Sequence, residues 1–338
     1  MKERLLDFLA CPDCGASFAC RPSRSEDAEI LEGRLTCQGC GASNPIKDGV
    51  PRFVKREELP RTEAATARKF GVQWSLYRWE ASPDQERQFR DWIQPTTPGD
   101  FQGRVVLDGG CGQGRHMTLA LRYGAREVVG VDISNAVNAA FARLRRFPNA
   151  HVVQADLSRL PLRPAFDYVY TIGVLHHMDE PQQGFQGLVR ALKPTGSLLA
   201  WVYGRENNGW VVWLVNPLRI LLTSRMPIWF LKVVSFFLTL VLHPVLKGIY
   251  LPLKRGAPAL WRLLFYRDYL TYIASFQFRE IYLIVFDHLN APVAHYVARE
   301  EFERWFKEAK LTAVQIAWHN RNSWRGFAMH PDAQRLTS

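Results

Sequence analysis

Val105-Val-Leu-Asp108-Gly-Gly-Cys-Gly-Gln-Gly114 is the stretch that decides how this chain folds. Three apolar residues end in an acid, and glycines follow at 109, 110, 112 and 114. The apolar run suits a short strand buried on both faces. Glycines at 110, 112 and 114 let the backbone pass close to a ligand at the carboxyl end of that strand. The spacing differs from a dinucleotide-binding turn, whose last two glycines lie three apart beneath a pyrophosphate. An acid at this place repels a pyrophosphate and attracts an ammonium group.

Two more acids fall in register. Asp132 ends the run Val128–Asp132, where a carboxylate accepts both hydroxyls of a ribose. Asp156 follows His151–Ala155, where it is expected to receive an adenine amino group. The implied ligand is cationic at one end, nucleosidic at the other and free of phosphate, which fits S-adenosylmethionine. Outward from this core the pattern alternates: a helix through Tyr123, another from Ser134 as N-cap to Arg146, a strand at Phe166–Ile172, a helix at Pro181–Leu192 and a strand at Ser197–Tyr203. A late helix places Phe302, Trp305, Phe306 and Ala309 on one face, and strands are expected at Ala313–His319 and Arg325–Met329. The pattern predicts an α/β fold with a doubly wound, mostly parallel, seven-stranded sheet.

Leu107–Gly114, Val129–Asp132, Gln154–Asp156, Phe166–His177 and Leu192–Gly196 together resemble the motif series of class I S-adenosylmethionine-dependent methyltransferases, most nearly the ubiquinone/menaquinone-biosynthesis type. The resemblance spans roughly residues 70–205 and 295–330. Gly109 departs from it, since the family often has a larger apolar residue there. It implies a Rossmann-like domain and a cofactor set of Asp108, Gly109, Gly110, Gly112, Gly114, Asp132, Ile133, Asp156, Leu157 and Ile172. His176 and His177, just beyond the fourth strand, stand where acceptor and methyl group meet. Either is a candidate general base, His177 the preferred one, or the pair only anchors its loop. Trp74 and Tyr77 are candidate lid residues, or core, and Tyr203 is placed with them on the substrate side. Arg325 is expected to grip a carboxylate or phosphate, or to form a surface ion pair.

Cys11-Pro-Asp-Cys14 and Cys37-Gln-Gly-Cys40 are two metal knuckles, each delivering two thiolates to one tetrahedral zinc. Cys20 and Cys111 stand outside that set. A unit this small lacks a sufficient core of its own, so a structural zinc is expected to supply its folding energy. With Asn44–Pro51, the segment resembles the zinc-ribbon module known as an activator subunit of tRNA and rRNA methyltransferases, which implies a docking or stabilising role. Paired Cys-x-x-Cys motifs point to a reducing, cytoplasmic compartment, and acids within Met1–Ala10 do not fit a signal peptide.

The 338 residues are 47% hydrophobic and carry a net charge of +11. That balance excludes a disordered chain and suits nucleic acid, an anionic membrane or a phosphorylated metabolite without choosing among them. Four regions are expected: a zinc ribbon at 1–55, a linker with lid helices at 56–103, the methyltransferase domain at 104–204 and 299–338, and a helical insertion at 205–298. Residues 207–260 hold six Lys/Arg and no Asp or Glu among many Leu, Val, Phe and Trp. Their longest charge-free run, Val233–Leu246, is short for a membrane span and contains Pro244, so no span is expected. Two readings of the insertion stay open: a helical cap over the substrate, or a patch resting on the inner face of a membrane. On this reading the chain methylates a small or lipophilic acceptor of quinone, lipid or glycan type. An rRNA or tRNA methyltransferase comes second and a non-catalytic adaptor third. A protein partner docking on the ribbon is also allowed for, with nucleic acid ranked lower.

Overall fold

The computed structural model describes residues 1–54, 59–76, 82–223, 226–291 and 294–333. An N-terminal antiparallel sheet runs in the order β1 (Phe18–Glu26), β2 (Glu29–Cys37), β3 (Ser43–Lys47) and β4 (Val50–Pro51). The main sheet comprises β5 (Val105–Gly109), β6 (Glu127–Asp132), β7 (Ala150–Gln154), β8 (Phe166–Ile172), β9 (Leu192–Tyr203), β10 (Thr312–His319) and β11 (Ser323–Met329). Its order is β10-β11-β9-β8-β5-β6-β7, and β11 alone opposes the common direction. The expected seven-stranded, mostly parallel sheet is therefore present. β9 begins at Leu192 rather than Ser197, because Leu192 already pairs with Phe166 before the register shifts.

Helices α1 (Arg61–Leu76) and α2 (Pro83–Trp92) precede the sheet, and α3 (Arg115–Arg122), α4 (Ala136–Leu144) and α5 (Pro181–Arg190) alternate with its strands. α4 starts one residue later than expected: Asn135 is the N-cap, while Ser134 Oγ accepts the Ala136 N–H at 3.2 Å. The insertion contributes α6 (Asn216–Leu221), α7 (Ile228–Val245), α8 (Leu251–Gly256), α9 (Pro258–Trp261), α10 (Arg267–Ala274) and α11 (Phe278–Asn290). α12 (Arg299–Glu308) returns to the sheet, burying Phe302, Trp305 and Phe306 as its periodicity predicts. Pro244 does not end α7. A π-helical turn at Leu246–Tyr250 carries the helix on, giving 29 continuous residues, Ile228–Gly256, long and apolar enough by length and composition to cross a membrane.

Strand alternation divides the core in two. Val105 and Leu107 face a cluster with α5, α12 and the N-terminal ribbon, while Val106 faces one with Phe89, Met117, Ala140 and Tyr170. The ribbon is thus a structural layer of the domain. Phe8 packs on Phe166 with ring centroids 5.9 Å apart, Leu9 bridges Leu162, and the Phe53 N–H donates to the Gln154 carbonyl at 2.8 Å. Gly49 has φ +77°, and a Cβ there would lie 2.2 Å from the Phe141 ring, so this turn seats only a glycine against α4.

Candidate functional site

In a doubly wound sheet the crevice opens at the carboxyl ends of the strands where the order reverses. Here that point lies between β5 and β8, and a cavity of about 260 Å³ fills it. Gly110, Gly112, Asp132, Ile133, Ile172, His177 and Tyr203 border the cavity. Gly110 has φ +86°, and a Cβ would meet Val174 at 2.1 Å, so the turn can approach a ligand with backbone alone. The Asp132 carboxylate is fixed from both sides: one oxygen accepts the Gly112 N–H and the other the Ser134 N–H, each at 2.8 Å. Burial raises its pKa, and these bonds hold it down.

Asp108 sits behind the turn, fully buried, with Oδ2 lacking a hydrogen-bond partner. Burial pushes its carboxyl up to about 8, opposed by Tyr170. Asp108 does not itself border the cavity, so its charge would reach an ammonium only through the glycine turn.

Other expected positions fall elsewhere. Gly109 does not border the cavity; a Cβ there would strike Leu188 at 2.6 Å, so its smallness serves the packing of α5, which also accounts for the departure from the usual larger residue. Gly114 caps α3 with φ +78° against Leu144. Asp156 spends both oxygens on Ser158, accepting its N–H at 2.8 Å and its hydroxyl at 2.7 Å, and neither Asp156 nor Leu157 lines the cavity. Arg325 is also off the site: from β11 it donates to the Asp91 carbonyl at 2.5 Å. Trp74's side chain and the whole of Tyr77 lie outside the described residues.

The histidines separate. His176 is enclosed, its Nδ1 accepting the Tyr203 N–H at 3.3 Å while its ring stacks on Tyr203 at 3.9 Å. Burial drives its pKa far below the usual value, so it stays neutral and anchors the loop. His177 borders the cavity beside the Phe70 ring at 5.0 Å.

A helical cap over the site was one reading of 205–298, but none of the residues with which it lines the cavity was named from sequence. Tyr269 and Tyr272 from α10, with Glu280, Asp287 and His288 from α11, close the chamber opposite the glycine turn. Half-buried Arg115 lies in the electrostatic reach of Glu280 and Asp287, and Gln85 donates to Glu280 at 3.1 Å. A signal was available: acids, absent from 207–260, return at 268, 280 and 287. Among the described residues, none of 207–260 lines the cavity.

At the N-terminus, the sulfurs of Cys11, Cys14, Cys37 and Cys40 lie within 4.8 Å of one another, with Cys11–Cys40 at 3.7 Å and Cys14–Cys37 at 3.4 Å. Tetrahedral zinc with bonds of about 2.3 Å sets sulfurs roughly 3.8 Å apart, so this donor set fits that metal.

A mostly parallel seven-stranded sheet with one reversed strand, opened by a glycine turn between two acid-ended strands, defines a Rossmann-like methyltransferase fold. Residues 107–200 match the family described as "Methyltransferase domain", and residues 2–49 match "Trm112p-like protein". The chain therefore carries a class I methyltransferase domain joined to an activator-like ribbon.

Among similar proteins, the tRNA U34 carboxymethyltransferase of Pseudoalteromonas atlantica is 36% identical over 128 residues, 35% of this chain and 39% of that protein. That of Klebsiella pneumoniae is 35% identical over 169 residues, 45% of this chain and 50% of that protein. A solved complex of the Haloferax volcanii Trm112 activator and a methyltransferase covers 78% of this chain and 97% of the solved chain at 14% identity and TM-score 0.44. The chain spans about half or less of the length of these tRNA-modifying relatives. Their identity overturns the expectation of a small or lipophilic acceptor, with nucleic acid ranked lower. The physical reason is visible: the greasy stretch that suggested such an acceptor does not face the site.

Proposed function

We propose that this protein is a cytoplasmic S-adenosylmethionine-dependent enzyme that transfers a methyl-type group to a nucleoside of tRNA, with one structural zinc on Cys11, Cys14, Cys37 and Cys40. The observation that carries it is the union, in one cavity, of the Asp132 crevice with an aromatic chamber walled by Phe70, Trp92, Tyr203, Tyr269 and Tyr272. An enzyme acting on a base takes it out of the stack and holds it between rings, where stacking contributes about 1–3 kcal/mol per base. The named activity of relatives 30–36% identical supports tRNA as the source of that base.

When bound, S-adenosylmethionine supplies an electrophilic carbon on a sulfonium. Asp132 would hold the ribose hydroxyls, the Gly110–Gly112 backbone would line the ligand, and Asp108 would answer its ammonium through the turn. The rings hold the acceptor in line, and alignment of this kind supplies about 7–11 kcal/mol. His177 takes the proton that the acceptor sheds on attack.

Two expectations arise here. At pH 7 the empty site keeps Asp108 largely protonated, because its pKa stands near 8. An adjacent ammonium favours the carboxylate, so the folded pKa falls on binding and nearly one proton is released. Calorimetry in buffers of different ionisation enthalpy should record that release at pH 7, its loss above about pH 9, and its absence in Asp108→Asn. Secondly, His177→Ala should lower turnover about 100-fold while leaving cofactor affinity within a few-fold, read from kcat and from equilibrium binding. The test of the function itself is transfer of label from S-adenosylmethionine, or its carboxylated form, to tRNA from cells lacking the protein. Label in tRNA nucleosides is expected; label confined to lipid or small molecules would overturn the proposal.

A further inference from the structure

α7 is built inside out for a helix on a water-soluble domain. It lies antiparallel along α11: Thr223, just before α7, donates to the Leu289 carbonyl at 2.9 Å, and His243 near its end meets Phe278 with centroids 5.5 Å apart. The row it buries against the domain is Leu231, Ser235 and Thr239, two of them hydroxyl residues, and Ser235 Oγ has no hydrogen-bond partner. Its outer face carries the large apolar side chains, with Trp229 67% exposed, Phe237 59% and Val241 68%. A helix facing water sorts its residues the other way.

The neighbouring elements continue this face. Trp213 is 79% exposed and Leu263 81%. Of 23 exposed large hydrophobics among the described residues, 20 fall between Trp210 and Phe265. Contiguous apolar patches on soluble monomers rarely exceed a few hundred Å², so a surface of this make-up has an occupant.

Charge selects which one. Residues 207–260 contain Arg219, Arg225, Lys232, Lys247, Lys254 and Arg255 and no acid. A protein partner with an apolar face does not require that exclusion of carboxylates; an anionic lipid surface does, since each nearby cation is attracted by about 1 kcal/mol. Geometry selects how it is met. The 29-residue helix is fastened to the domain along its length: Thr223, ahead of it, donates to the Leu289 carbonyl, Leu231, Ser235 and Thr239 are buried, and Leu246 and Tyr250 pack with Ile273 and Phe276. A helix fastened along its length to one globular body cannot thread a bilayer, so it lies in the plane of the interface.

We propose that the 210–265 face is a monotopic docking surface for a bilayer rich in anionic phospholipid, entered by the outer side chains of α7 and the adjoining segments. Among the described residues, none of 207–260 lines the cavity, so the surface is separate from the transfer site. The experiment is flotation of the full chain with vesicles of phosphatidylcholine containing about one-third phosphatidylglycerol, and with phosphatidylcholine alone. Its oligomeric state is measured by light scattering beforehand. The expected result is flotation with the anionic vesicles, at least about tenfold weaker in the doubly substituted F237E/V241E chain and weakened by salt. S-adenosylhomocysteine affinity should be unchanged by that double substitution. Wild-type protein that stays in the soluble fraction would overturn the proposal. So would a stable dimer that the double substitution dissociates, because the face would then be covered by a second copy. Failure of tRNA transfer bears on neither outcome.

Discussion

Replacing Cys37 and Cys40 together with serine is expected to abolish zinc binding and to lower the melting temperature of the entire chain, in one transition. Zinc contributes about 10–16 kcal/mol to the folding of comparable small modules, and a ribbon of this size has little else to hold it. Its loss should not stay local. Leu5, Phe8, Leu9, Leu35 and Ile46 share one buried cluster with Leu107, Val129 and Val169 of the main sheet. Unfolding the ribbon would bare that face of the sheet, at roughly 25 cal/mol per Å² of apolar surface. Metal analysis should find one zinc per chain before substitution and none after, and a chelator should reproduce the shift in a thermal melt. Two separate transitions, with the second unmoved, would mean the ribbon is a passenger.

Asp132→Ala is expected to weaken S-adenosylhomocysteine binding by at least about 100-fold in calorimetry, with the fold intact. Hydrogen bonds to a charged group contribute about 1.5–3 kcal/mol each, and two ribose hydroxyls make the loss about 3 kcal/mol or more, which converts to that factor. The same change frees the Gly112 and Ser134 N–H groups from the carboxylate, so the glycine turn also loses its tether. Asp132→Asn keeps one acceptor oxygen and should fall between the two. An affinity unchanged in the alanine variant would remove the ribose from this strand end.

The sheet and the glycine turn at its switch point were legible in sequence because both depend on local chemistry. A strand buried on both faces must be apolar along its run, and Val105–Leu107 is, up to the acid at 108. Glycines that hold positive φ, as at 110, 112 and 114, leave a spacing that few other purposes produce. The cysteine knuckles declare their geometry in the same way.

What sequence did not show depends on where side chains turn once the chain has folded. Asp156 looks like Asp132 in a row of residues, yet Ser158, two residues on, takes both its oxygens. Gly109 reads as part of the ligand turn until Leu188 is seen above it. Arg325 is pulled away by Asp91 of α2. The insertion misled most: its apolar first part, 207–260, suggested a greasy acceptor, while the chamber wall comes from its second part, at Tyr269, Tyr272, Glu280 and Asp287. Hydrophobicity reports that a side chain avoids water; it does not report which way the side chain points.

One measurement bears on the central claim most directly: a crystal structure of the protein grown with S-adenosylhomocysteine. The account predicts the nucleoside in the crevice between β5 and β8, its ribose on Asp132, its backbone-facing edge along Gly110–Gly112 and its ammonium toward Asp108. A crevice that stays empty at saturating ligand, or one that takes up a phosphorylated nucleotide instead, would contradict it.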